Sequence, residues 1–163
     1  MSKKWIPPLI LIIIALIAFF FYNKYAVAPT VDFKKLNLLD LKGQPLNFES
    51  FTGKKAIVCF SASWCGPCLN ELKEINEIKD LQLKDIEVIM ISDEPIEKIQ
   101  AFRDYTQYPF TFLKLVQSFN QIGINSIPVS YLMNSKQEVK KETVGYINWA
   151  DPSTSEHMKK LME

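Results

Sequence analysis

The sequence predicts an α/β domain, a mixed central sheet flanked by helices, preceded by one apolar N-terminal helix. Three observations predict it. Beyond Val31, short β-rich runs alternate with stretches of helical period as far as Glu163. The run from Ile86 to Ser92 is nearly continuous apolar sequence, as in a strand covered on both faces. Two turn signals, Lys42-Gly43-Gln44-Pro45 and Asn134-Ser135-Lys136, each separate a pair of candidate strands, which adds antiparallel neighbours to the sheet.

The chain has 163 residues, enough for one domain and an appendage. The appendage is N-terminal. Ser2-Lys3-Lys4-Trp5 leads into an uninterrupted apolar run, Leu9 to Phe21, extended by Ile6-Pro7-Pro8 before it and Tyr22 after it. Such a run lies at the lower end of what crosses a bilayer. Trp5 on one side and Tyr22 and Tyr25 on the other resemble interfacial aromatic belts. Ala26-Val27-Ala28 has the small residues of a signal cleavage site, but Pro29 follows and hinders processing, so an uncleaved anchor is the expectation. No cysteine lies near, which excludes a lipid-modified one. Lys3 and Lys4 precede the run and only Lys24 closely follows it, so the positive-inside rule puts the N-terminus in the cytoplasm. The expected organisation is therefore a cytoplasmic N-terminus over 1–5, a single-pass transmembrane anchor over 6–22, a linker over 23–30 and a domain over 31–163. That domain would lie outside the cytoplasmic membrane, on the periplasmic side.

The elements of the domain follow in order. Leu36 to Leu39 and Leu46 to Phe48 flank the first turn and form a hairpin. Lys55 to Ala62 is a strand. Pro67 to Leu83 is a helix with Cys68, Leu72, Ile75 and Ile78 on one stripe. Ile86 to Ser92 is the central strand, and Pro95 to Tyr105 a helix with Ile96, Ile99 and Phe102 inward. Phe110 to Leu113 is a short strand and Gln117 to Ile122 a short helix. Val129 to Met133 and Val139 to Val144 pair across the second turn. Pro152 to Met162 closes the chain as a helix capped by Asp151.

The chemistry sits in Trp64-Cys65-Gly66-Pro67-Cys68, between a buried strand and a helix. Two intervening residues let one helical turn hold both sulfurs within bonding reach. Cys65 falls at the helix N-cap, where free N–H groups and the positive dipole end favour a thiolate, the attacking species. Pro67 fits the first turn because its missing N–H costs little there. Gly66 keeps the approach to Cys65 open. Cys68, one turn deeper, is less exposed. Cys65 is thus the expected nucleophile and Cys68 the resolving thiol of a reversible disulfide exchange. A structural zinc site needs about four ligands, and here one pair stands with one distant cysteine and one histidine. Haem attachment needs His after the second Cys, and Leu69 stands there. A formal charge of +1, with no long basic run, gives no sign of nucleic-acid binding.

The motif after a buried strand, with Ile127-Pro128 ahead of a later strand, resembles the thioredoxin superfamily. The apolar N-terminus, the hairpin with Leu41-Lys42-Gly43-Gln44-Pro45, and the extra helix and strand from Pro95 to Leu113 make the chain similar to its membrane-anchored TlpA/ResA group. That resemblance implies a thioredoxin-like fold over nearly the whole chain. It implies a cis Ile127–Pro128 bond that sets Pro128 against the two sulfurs and exposes the Ile127 backbone to an extended substrate segment. It also implies that Glu71, which shares a helical face with Cys68, lies near the buried thiol and exchanges its proton. Trp64, Gly66, Pro67, Ile127 and Pro128 would form the substrate-binding surface, with Trp64 capping it. Cys59 takes the place where thioredoxins often carry a proton-relaying aspartate, and it reads here as core packing. Val129 and Ser126 replace a frequent threonine and glycine, so substrate preference does not carry over. Tyr105, Tyr108, Phe110 and Phe112 read as core and rim of the extra segment, and His157 as a solvated surface residue.

The expected function is a protein-disulfide reductase outside the membrane. It needs no cofactor beyond the redox-active Cys65–Cys68 pair. Its expected partners are disulfide-containing extracytoplasmic proteins and a transmembrane thiol electron donor, and cytochrome c maturation is a pathway of the group. The opposite direction, an oxidase or isomerase of secreted proteins, is set apart by reduction potential. A copper-binding metallochaperone-like module would need a wider cysteine spacing and a distal histidine, and the sequence has neither.

Overall fold

The computed structural model describes residues 6–163, with side chains in the first helix described from Leu9 onward. The expectations for the cytoplasmic segment 1–5, including Lys3, Lys4 and Trp5, lie outside the described residues. Helix α1 runs Ile6–Tyr25, with Pro7 and Pro8 in its first turn, where no N–H partner is lost, and Lys24 as the basic residue of its last turn. Among the described residues no helix is long and apolar enough to cross a membrane. The expected transmembrane anchor over 6–22 is therefore not supported: the 20 residues of α1 include Pro7, Pro8, Asn23 and Lys24, so its unbroken apolar stretch is shorter than the roughly 20 residues a span takes. The linker differs from a free tether. Its first residues, to Tyr25, continue α1. The carbonyl of Tyr25 accepts a hydrogen bond from Ser126 Oγ at 3.1 Å, and that of Pro29 accepts one from the Tyr131 hydroxyl at 2.7 Å. Ala28 packs against the core and Val31 is buried in it.

Seven strands form one mixed sheet in the order β2-β1-β5-β4-β3-β6-β7. They are β1 (Leu38–Leu39), β2 (Pro45–Leu46), β3 (Lys55–Phe60), β4 (Ile86–Ser92), β5 (Thr111–Leu115), β6 (Val129–Met133) and β7 (Val139–Val144). The helices are α2 (Gly66–Gln82), α3 (Ile96–Thr106) and α4 (Pro152–Leu161). β3, β4 and β5 are parallel, while β6 and β7 on one side and β1 and β2 on the other pair antiparallel. The first hairpin is shorter than its sequence suggests, because Phe48 leaves the strand and enters a 3-10 turn, Phe48–Phe51, capped by Asn47. The short helix expected after β5 is likewise one 3-10 turn, Phe119–Ile122, closed by Gly123 at φ +85°. Asp151 caps α4 as expected, accepting from the N–H groups of Ser153 and Thr154.

The sheet divides its side chains between two cores. Ile57, Cys59, Val88, Met90 and Leu132 meet Leu72 and Ile75 of α2, Ile99 of α3 and Met162 after α4. Val58, Phe60, Ile89, Ile91 and Tyr131 meet Phe48 and Phe119 from these 3-10 turns and Phe33 from a third, Phe33–Lys35. Both faces are covered, as the apolar central strand predicts, but these helical contacts fall on one face only. The reason is topological. The steps β3-α2-β4 and β4-α3-β5 move in the same direction across the sheet, and right-handed crossovers then place both helices on the same side. The other face is closed by the segment before β3 and by the turn around Phe119, which leaves the carboxyl ends of β3 and β4 open for a site.

Candidate functional site

β3 ends at Phe60, and Ser61 to Trp64 carry the chain over the sheet edge into α2. Cys65 is the N-cap residue of α2, with extended backbone, and its sulfur accepts the Cys68 N–H at 3.3 Å. Cys65 and Cys68 are joined by a disulfide. Cys65 is 5% exposed and Cys68 0%, the ordering expected of an accessible and a buried sulfur. Pro67 lies in the first turn. A Cβ at Gly66 would meet nothing within 4 Å, so the expectation that glycine is needed there to keep the approach open finds no steric support. Trp64 is 70% exposed, so it stands beside the pair and does not seal it.

The Ile127–Pro128 peptide bond is cis, as the family resemblance implied. Ile127 packs against Ala62, Cys65 and Cys68, and its carbonyl oxygen lies 3.9 Å from Cys65 Sγ. That sulfur has no proton in the disulfide; once reduced, it can donate to this carbonyl. A cleft of about 390 Å³ opens next to the pair, lined by Trp64, Asp93, Phe119, Ile124, Ser126 and Ile127 among others. Of the sequence-derived residues, Trp64 and Ile127 line this cleft. Gly66 and Pro67 are exposed at the start of α2, and Pro128 is buried.

Glu71 is not on the surface of α2. It is 1% exposed, on the same face as Cys68. It accepts hydrogen bonds from Ser130 Oγ at 2.6 Å, the Ile147 N–H at 3.4 Å and Trp149 Nε1 at 3.5 Å. Burial pushes its carboxyl up from 4.5 to about 7; the three donors oppose that rise and the neighbouring Glu74 charge adds to it. Cys59 is buried in the core face of β3 as expected, and burial, then the charge of Glu71, push its thiol far up. It does, however, touch this polar cluster, with Ser130 Oγ 3.6 Å from its sulfur.

Several residues of the site were not legible in advance. Glu94, just past β4, is 6% exposed. Its carboxylate accepts from the Ser63 N–H at 2.7 Å, the Ser63 hydroxyl at 2.8 Å and the Ser92 hydroxyl at 3.2 Å. It thereby ties down the loop that presents Trp64 and Cys65. Glu74 accepts from the Trp149 N–H at 2.9 Å and from the Tyr146 hydroxyl, fastening the segment between β7 and α4 to α2. Trp149 itself is fully buried. The one available signal was an acidic pair, Asp93-Glu94, at the carboxyl end of a central strand, where α/β sheets gather their sites.

Comparison with known proteins finds relatives over most of the chain. A model of the AhpC/TSA family matches residues 28–143. The thiol-disulfide oxidoreductase ResA of Geobacillus thermodenitrificans is 26% identical over 136 residues, 81% of this chain and 78% of that protein. The sporulation thiol-disulfide oxidoreductase A of Bacillus subtilis is 26% identical over 132 residues, 76% of this chain and 74% of that protein. Among solved structures, the thiol:disulfide interchange protein of the thioredoxin family from Chlorobium tepidum TLS superposes with a TM-score of 0.63. The identity is 22%, and the match covers 83% of this chain and 97% of that one.

Proposed function

The chain belongs to the AhpC/TSA family, and from that premise and the site's geometry we propose that it is a thiol-disulfide oxidoreductase whose Cys65–Cys68 pair reduces protein disulfides. The observation that carries the reading is the disulfide at the start of α2, with the more exposed cysteine at the N-cap, next to Trp64 and packed against Ile127, both of which line an open cleft. In the reduced enzyme the Cys65 thiolate attacks one sulfur of a substrate disulfide. A mixed disulfide forms and the substrate's other sulfur leaves as a thiolate. Cys68 then attacks Cys65 Sγ, the mixed disulfide breaks, and the second substrate sulfur departs. Two electrons pass to the substrate, and its two departing thiolates take up protons from solvent. A donor dithiol then reduces the Cys65–Cys68 bond and closes the cycle.

Glu71 takes the Cys68 proton as that thiolate forms and returns it when the dithiol is restored. A carboxyl held to about 7 is suited to that exchange near neutral pH. Trp64, Gly66, Pro67 and Ile127 make the surface on which an extended substrate segment lies, with the Ile127 backbone as its pairing edge and the buried Pro128 following it in the chain.

The domain works at a membrane surface, on its extracytoplasmic side. Support comes from α1: Leu9, Leu11, Leu16, Phe19 and Phe20 each expose half or more of their surface, an apolar area that a bilayer would cover. The substrates are then extracytoplasmic proteins with disulfides, including those whose haem-attachment cysteines must be free for cytochrome c maturation, and the electron donor is a transmembrane thiol protein. A Cys68→Ser variant in cells tests the reading. It should accumulate mixed disulfides on Cys65 with extracytoplasmic proteins, and a Cys65→Ser control should accumulate none. Equal capture by both variants would contradict the assignment of roles. A measured potential close to that of strong oxidants would reverse the direction to disulfide formation.

A further inference from the structure

The partners of Glu71 are of two kinds. The Ile147 N–H and Trp149 Nε1–H can only donate, so neither can accept the acid proton when Glu71 is neutral. The Ser130 hydroxyl can donate or accept, and it lies between two groups, 2.6 Å from Glu71 Oε1 and 3.6 Å from Cys59 Sγ. It has one proton to give. When Glu71 is ionised, the hydroxyl donates to the carboxylate and the Cys59 thiol donates to Ser130 Oγ. When Glu71 is neutral, the acid proton is donated to Ser130 Oγ and the hydroxyl turns to the Cys59 sulfur. Neither arrangement leaves the Ser130 hydroxyl or the acid proton of Glu71 without a partner, although Ser130, Glu71 and Cys59 are each 2% exposed or less. A valine or alanine at the same place in β6 would serve neither state.

We propose that Ser130 is a positioning residue: its hydroxyl, exchanged between Glu71 and Cys59, partners Glu71 in both protonation states and so sets the pH window of proton exchange at Cys68. The last step rests on the reading of Glu71 as the proton partner of Cys68. With Cys68 in the disulfide, the titratable groups around Glu71 are Cys59 from β3, Glu74 from α2, and Tyr146 from the segment after β7. Of these, the Cys59 thiol is held protonated by its burial, and the Tyr146 hydroxyl is engaged by Glu74. Ser130 is the one neutral partner able to reverse its direction.

The test is an infrared titration of the full chain, following the carboxylic-acid C=O band that Glu71→Gln removes. Ser130→Ala should raise the midpoint of that band by about one pH unit, since a charge-assisted hydrogen bond to the carboxylate is lost. Ser130→Thr, which keeps the hydroxyl, should restore it. The pH profile of disulfide reduction should move by the same amount, and in a Glu71→Gln background Ser130→Ala should leave that profile where it was. An unmoved infrared midpoint overturns the proposal, as does a profile shift that persists without Glu71. A moved band with an unmoved profile overturns the link to Cys68, and with it the reading of Glu71 as its proton partner, while leaving the disulfide exchange itself intact. Should Ser130→Ala fail to fold, Ser130→Cys carries the same test, because its weaker donor should also raise the midpoint.

Discussion

Glu71→Gln removes a titrating group from the interior while keeping its shape, and its effect on stability has a calculable sign. The carboxyl holds its proton to about 7 in the folded chain, against an ordinary 4.5. Below 4.5 both the folded and the unfolded chain carry the proton, and the group contributes no difference. As pH rises from 4.5 to 7, the unfolded chain releases the proton and the folded chain keeps it, so stability falls. Above 7 both are ionised and the full cost remains. At about 1.4 kcal/mol per pH unit this amounts to roughly 3 kcal/mol. Glutamine imitates the neutral acid at every pH, so the variant escapes the loss. Urea unfolding of the oxidised protein in mild detergent, at about pH 4 and about pH 8, measures it directly. The stability gap between variant and parent should move in the variant's favour by roughly 3 kcal/mol between the two conditions. A gap that stays constant with pH would refute the reasoning, since it would mean that burial does not raise this carboxyl.

Two further predictions concern the frame of the site. Glu94→Ala removes the acceptor for three hydrogen bonds from Ser63 and Ser92; it should cost about 2 kcal/mol in urea unfolding, with Glu94→Gln recovering part of it. The loop Ser61–Trp64 should also exchange its amide hydrogens faster in the alanine variant, and unchanged exchange there would show that Glu94 does not hold the loop. Tyr131→Phe keeps the core ring and deletes the hydroxyl that holds the Pro29 carbonyl. Residues 26–30 should then be cut faster by a limited dose of protease, while global stability falls by about 1 kcal/mol; equal cutting rates would mean the linker is not docked.

The sequence carried the parts of this protein that depend on local chemistry. β6 and β7 fall on the two runs that the Asn134-Ser135-Lys136 turn separates, and Asp151 caps α4 as its type and position suggest. The reactive pair was legible because its spacing, its proline and the helix start all act within one turn. What the sequence could not carry is decided by tertiary packing. Phe48 looks like the end of a strand, but its ring is drawn against Phe33 and Phe51, and the backbone follows into a 3-10 turn. Residues 23–30 look like a tether, yet Ser126 and Tyr131, far along the chain, hold two of their carbonyls. Glu94, Ser130 and Trp149 have no local pattern that marks them. They become partners of the site because the sheet and its crossovers bring the end of β4, the middle of β6 and the segment after β7 to the start of α2. The face to which the helices pack is also a property of strand order, which no window of sequence contains.

The central claim is that Cys65 and Cys68 cycle between disulfide and dithiol as one exchanging pair. The most direct measurement equilibrates the full chain in a series of thiol–disulfide buffers and counts free thiols by alkylation and mass. The account predicts one two-electron transition confined to Cys65 and Cys68, with Cys59 unchanged throughout and the transition abolished in Cys65→Ser. A pair that stays locked as a disulfide across the series, or thiols that appear at Cys59 in step with the transition, would contradict it.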